Sequence, residues 1–141
     1  MRKAIVAGNW KMHKTASEAV ELVAELKPLL TGVEVETALC PPATSLQAVH
    51  AALEGSAIGL GAQNMHWEGE GAFTGELSAG MILAAGCTYV ILGHSERRQY
   101  FGETDEGVNR KLISALEAGL RPIVCVVETL DEREAGRIEE V

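Results

Sequence analysis

Apolar residues gather into five short runs: Ala4 to Ala7, Val35 to Cys40, Ala57 to Ala62, Tyr89 to Leu92, and Pro122 to Val127. Most show no polar alternation. Continuous apolar runs of this length predict strands covered on both faces, as in a parallel sheet. Between them the spacing becomes helical. From Glu18 to Leu30, Ala19, Val20, Leu22, Val23 and Leu26 supply an apolar stripe, with Glu18, Glu21, Glu25 and Lys27 mostly elsewhere on the wheel. Thr15-Ala16-Ser17-Glu18 has capping-box spacing before it. Thr44-Ser45-Leu46-Gln47 repeats that device for a second helix, which Gly55 ends. A third helix is expected over Ser78 to Ala85, with Gly86 after it, and a fourth over Glu106 to Ala118, with Gly119 at its end. Thr129-Leu130-Asp131-Glu132 begins a fifth.

This alternation of strand and helix predicts an α/β fold with a parallel sheet and right-handed crossovers. Two closures compete: a doubly wound open sheet and a (β/α)8 barrel. A dinucleotide-binding sheet shows a Gly-rich turn after its first strand. Here Ala7-Gly8-Asn9-Trp10-Lys11 carries one glycine, which weakens that reading. The connection from Gln63 to Leu77 is long, polar and Gly-rich, and it holds Trp67 and Phe73. Loops of this kind are usually functional, and both a partner surface and a substrate contact fit the two aromatics.

Composition narrows the classes. A chain of 141 residues suits a single domain over 1–141, and 47% apolar residues argue against disorder. A net charge of −8 argues against binding nucleic acid, which needs clustered Lys and Arg. Cys40, Cys87 and Cys125 lie far apart; they fit neither metal-ligand spacing nor a closed disulfide framework, and read as small apolar fillers in a reducing compartment. Met1-Arg2-Lys3 runs into a strand-like segment rather than a signal sequence. No apolar run approaches the roughly 20 residues needed to span a bilayer. A soluble cytoplasmic protein is expected, with no membrane partner.

Ligands of parallel α/β folds bind at the carboxyl ends of the strands. Asn9 and Lys11 follow the first run, Gln63 and Asn64 the third, His94, Ser95 and Glu96 the fourth, and Glu128 the fifth. Each alone has an ordinary reading as a solvated charge or a satisfied core group. Together, one Lys, one His, two carboxylates and several amides suit an anionic, oxygen-rich small molecule and proton chemistry.

Three stretches resemble triosephosphate isomerase: Ala7-Gly8-Asn9-Trp10-Lys11-Met12, Gly71-Ala72-Phe73-Thr74-Gly75-Glu76, and Gly93-His94-Ser95-Glu96-Arg97-Arg98 through Tyr100-Phe101-Gly102-Glu103-Thr104. Their order is the family's, and the similarity covers the whole chain. The resemblance implies a partial TIM barrel of about five strands. It implies isomerisation of dihydroxyacetone phosphate to glyceraldehyde 3-phosphate, in glycolysis and gluconeogenesis, with no metal or organic cofactor. Lys11 then matches the residue that attracts the substrate phosphate and enediolate charge. Asn9 matches a contact to substrate oxygens. His94 matches the imidazole that polarises the carbonyl, this family's familiar case of a histidine kept neutral by a helix N-terminus; Ser95-Glu96-Arg97-Arg98 would supply that helix. Glu96 matches a buried carboxylate close to the Lys. Thr74 matches a loop residue that enters the neighbouring subunit's site, so Gln63, Asn64, Phe73, Thr74 and Glu76 are expected as subunit contacts.

Two departures accompany the resemblance. The family continues through three more strands, which bring the proton-moving glutamate, the lid and the phosphate-binding N–H groups; Val141 precedes all of them. Losing a positioned general base costs ~10²–10⁴ in rate, so weak or no turnover is expected from the chain alone. Five strands also leave two free edges, on the first and fifth strands. The expected remedies are homo-oligomerisation, as a dimer or tetramer, or a separate C-terminal half. Retained binding of a phosphorylated triose, phosphate or sulfate is a further expectation. The second departure is Val127, where the family usually has Gly in a Cys-Val-Gly-Glu pattern.

Overall fold

The computed structural model describes residues 3–126 together with Glu134 and Gly136. Val127, Glu128 and the expected helix start at Thr129-Leu130-Asp131-Glu132 lie outside the described residues. The elements run β1 (Ile5–Asn9), α1 (Ala16–Leu29), β2 (Glu36–Cys40), a 3-10 turn (Ala43–Ser45), α2 (Leu46–Ala52), β3 (Gly59–Ala62), α3 (Ala79–Ala84), β4 (Tyr89–Leu92), α4 (Ser95–Phe101), α5 (Asp105–Glu117) and β5 (Arg121–Val124). All neighbouring strands pair in parallel, in the order β1-β2-β3-β4-β5.

The sheet is curved into a half-barrel. Arg121 on β5 bonds Glu36 on β2 through Nη1 and Nη2, the longer contact being 3.1 Å. In a flat sheet, strands three apart stand about 14 Å from one another, beyond such contact. Tyr89 of β4 lies between them. Its hydroxyl donates to Glu36 and accepts from Arg121 Nη1 at 2.5 Å. Strand alternation sorts the two faces. Val90 and Leu92 turn outward into one core with Leu39, Leu60, Val23, Val49 and Ile82. Tyr89 and Ile91, also buried, turn toward the concave side. Gly61 makes room there, since a Cβ would stand 2.7 Å from Cys40 Sγ.

Several expectations change. β1 extends to Asn9, so Asn9 ends the strand rather than following it. β5 starts one residue earlier than its apolar run, at Arg121. β1 and β5 are not covered on both faces: they are the sheet's edges, and Val6 is 60% exposed. Thr15 caps α1 as its spacing predicts, its N–H donating to Glu18 Oε2 at 2.7 Å. Thr44 does not cap α2, because residues 43–45 wind into the 3-10 turn and Ser45 becomes the N-cap, with no side-chain cap bond. A short helix, α4, intervenes between β4 and α5. Cys40 and Cys87 are core fillers, while Cys125 is half-buried. Among the described residues, no helix is long and apolar enough to cross a membrane.

Candidate active site

Four strand-to-helix connections converge at the carboxyl end of the sheet. β1 ends on Asn9, and the chain turns sharply at Lys11, whose φ is +52°. The Lys11 N–H donates to Asn9 Oδ1 at 3.0 Å. Gln63 and Asn64 follow β3. β4 ends at Leu92, Gly93 turns with φ +69°, and His94 caps α4. Asn9, Lys11, Gln63, Asn64, His94 and Glu96 line one cavity of about 350 Å³.

Lys11 Nζ donates to Glu96 Oε1 at 2.6 Å. That hydrogen bond holds the Glu96 carboxyl below its ordinary value, against a smaller push upward from burial. The Glu96 side chain is 39% exposed, so the expectation of a buried carboxylate is corrected. The His94 ring accepts the Glu96 backbone N–H at Nδ1, 3.2 Å away. An unprotonated Nδ1 places the proton of the neutral ring on Nε2, and this nitrogen has no protein partner among the described residues. The site thus offers one ammonium, one imidazole N–H and side-chain amides around an anion-sized space. Among the described residues no cluster of His, Cys, Asp or Glu has metal-binding geometry.

The long loop after β3 is closed at its base, where the His66 N–H donates to the Leu77 carbonyl at 2.8 Å. The His66 ring stacks on both Trp67 and Phe73, with centroids 4.3 Å apart in each pair. Arg110 lies 5.6 Å from the Trp67 ring. Trp67 is therefore committed within the chain, whereas Phe73 and Thr74 are exposed on the outer loop and do not line the cavity. Glu76 does line it. The Gln63 and Asn64 side chains bond inward, Gln63 to backbone carbonyls and Asn64 to Lys111.

Lys111, Glu103 and Arg97 form a network that patterning did not single out. Lys111 is buried in α5. Its Nζ bonds Asn64 Oδ1 at 2.9 Å and also Glu103 Oε1, which Arg97 Nε reaches at 2.8 Å. Burial pushes the Glu103 carboxyl up, but the bonds from Arg97 and Lys111 together win, and it sits below its ordinary value. The signal was present: Lys111 falls on the buried stripe of α5 between Val108 and Ala115, where a lysine needs a partner.

A family model described as Triosephosphate isomerase matches residues 4–141. The triosephosphate isomerase of Caldanaerobacter subterraneus subsp. tengcongensis is 56% identical over 141 residues, covering 100% of this chain and 57% of its own length. That of Endomicrobium trichonymphae is 61% identical over 135 residues, 95% of this chain and 54% of the relative. The crystal structure of the Bartonella henselae triosephosphate isomerase superposes with a TM-score of 0.93 at 38% identity, over 99% of this chain and 58% of that one. The chain spans a little over half the length of these relatives. The three motifs, the strand order and a half-barrel that overlays the first half of a whole one agree, and the chain belongs to the triosephosphate isomerase family.

Proposed function

We propose that this chain carries the electrophilic half of a triosephosphate isomerase site. Lys11 draws in the phosphorylated triose and its developing negative charge. His94 donates from Nε2 to the carbonyl oxygen, Asn9 contacts substrate oxygens, and Glu96 fixes the ammonium of Lys11. The observation that supports this most is the convergence of Lys11, His94 and Glu96 on one cavity, with the histidine tautomer set by a backbone N–H. Preorganised donors of this kind stabilise an enediolate oxygen without reorganisation during reaction.

Glu96 is spent on Lys11, and no other described carboxylate is identified with the family's base. The 141-residue chain alone is therefore proposed to turn triose phosphate over weakly or not at all. A coupled isomerase assay on the purified chain tests this. The expected rate is close to background and unchanged in Lys11→Ala and His94→Gln. Brisk turnover that both substitutions abolish would show catalysis by this chain and overturn the weak-activity reading.

A second reading is a non-catalytic, self-associating half-barrel with a residual phosphate site. It is favoured by the apolar surface left open on the edge strands and the loop beyond β5, where Val6 is 60% and Val126 74% exposed. Homo-oligomerisation, as a dimer or tetramer, would cover this surface, with Gln63, Asn64, Phe73, Thr74 and Glu76 as loop-side contacts; a separate C-terminal half is the other candidate cover. Light scattering is expected to give a multiple of the 15.0 kDa chain mass. A compact single-chain particle would count against self-association.

A further inference from the structure

We infer that Gln63 is a positioning residue that holds Lys11 in the backbone geometry its ammonium requires. This rests on the reading of Lys11 as the anion-binding residue. Lys11 and Lys14 are the non-glycine residues with positive φ among the described residues. A side-chain-bearing residue stays in that region only when its surroundings enforce it. At Lys11 two side chains do so from opposite sides. Asn9 Oδ1 accepts the Lys11 N–H at 3.0 Å. Gln63 Nε2 donates to the Lys11 carbonyl at 2.9 Å and to the Cys40 carbonyl at 2.8 Å.

The second of those bonds gives the clamp its anchor. Cys40 ends β2, is fully buried, and accepts the Trp10 N–H at 3.1 Å through the same carbonyl. One amide nitrogen thus ties the turn after β1 to the rigid end of β2. A carboxamide is well matched to two carbonyls, because its two hydrogens sit on one uncharged, planar nitrogen. A lysine or arginine there would place a second cation beside the ammonium of Lys11. At the far end of Lys11, Glu96 takes the ammonium at 2.6 Å. The backbone is set by Asn9 and Gln63, and the head group by Glu96. Gln63 therefore acts through Lys11.

The test uses the whole isotope-labelled chain, wild type and Gln63→Met, which keeps the reach and removes the donor. The φ-dependent three-bond couplings at Lys11 are expected to lose their positive-φ signature in the variant. The Glu96 carboxyl titration is expected to shift upward, while amide resonances of α3 and α5 stay in place. A folded Gln63→Met chain that keeps the positive-φ couplings would overturn the inference. Unfolding equilibria give a second reading, through Lys11→Gly, because glycine adopts positive φ without a clamp. Gln63→Met is expected to cost about fivefold or more in the folding equilibrium, and most of that loss is expected to vanish in the Lys11→Gly background. If Gln63→Met alone does not fold, recovery of folding in the double variant supports the clamp. A defect of equal size in both backgrounds overturns it. Inorganic phosphate titrated into the wild-type chain separates the two readings. If it moves no resonance near Lys11, the anion site fails, while the couplings and the Lys11→Gly comparison still decide the clamp.

Discussion

The Lys11–Glu96 contact couples charge to geometry at the scale of two residues. Glu96 titrates below its ordinary value of 4.5 because Lys11 donates to it. A depressed carboxylate contributes above its unfolded value and loses that contribution as pH falls through its folded value. Lys11→Met is therefore expected to bring the Glu96 titration back up toward 4.5, read from its side-chain carbonyl carbon by NMR. The pair is exposed, so stability at neutral pH changes little. Lys111 is the opposite case. Its ammonium is buried against Glu103, and Glu103 Oε2 lacks a protein partner among the described residues. Removing Lys111 leaves the Glu103 carboxylate with Arg97 as its remaining cation and takes the donor from Asn64 Oδ1. Lys111→Met is expected to cost about 1–3 kcal/mol in urea unfolding, and Lys111→Met/Glu103→Leu to regain part of it. A loss below about 1 kcal/mol would mean that water reaches this network and screens it.

At the scale of elements, α4 lines the site and α5 backs it through Lys111, each placed by how it begins. Thr104 caps α5, its hydroxyl accepting the Gly107 N–H at 3.2 Å. Thr104→Ala is expected to destabilise by about 1 kcal/mol, and Thr104→Ser by much less. Gly93 sets the angle between β4 and α4. A Cβ there would lie 2.9 Å from Arg98 Nη2 and 3.0 Å from Val108, and φ is +69°. Gly93→Ala is expected to cost about 1–3 kcal/mol and to shift the His94 ring resonances. α5 was legible from its apolar stripe, and α1 from its stripe and its Thr15 cap. α4 was not legible from patterning: it has seven residues, none buried, and so no stripe. It entered only as a possible short helix through the resemblance. The Thr44 and Thr15 devices look alike in sequence, but the chain packs residues 43–45 into a 3-10 turn and buries Ser45, and tertiary context overrides the local signal. Lys111 was hidden for a related reason. A helix wheel shows where a lysine falls, but not that Asn64 and Glu103, separated from it along the chain, arrive beside it.

At the scale of the whole molecule, the half-barrel must stay curved although the described strands do not close. Main-chain ladders alone tolerate a range of curvature. The Glu36–Tyr89–Arg121 cluster spans β2, β4 and β5 at the end opposite the site, and its side chains fix the separation of strands that do not pair. Arg121 donates to Glu36, and with the Tyr89 hydroxyl lowers that carboxyl to about 2 from 4.5. The contribution of this cluster is therefore complete above about pH 4.5 and is lost as pH falls toward 2. Arg121→Gln removes the charge while keeping a polar side chain, so Glu36 should titrate closer to its ordinary value. The variant is expected to lose much of the acid-side slope of stability between pH 4.5 and 2, measured as urea midpoints across that range. Its amide spectrum should shift on β2 and β5 together, because the two strands share this link without being neighbours. If the acid slope persists unchanged in Arg121→Gln, the cluster is a solvated surface contact, and the curvature is held by the ladders and the outer helices alone.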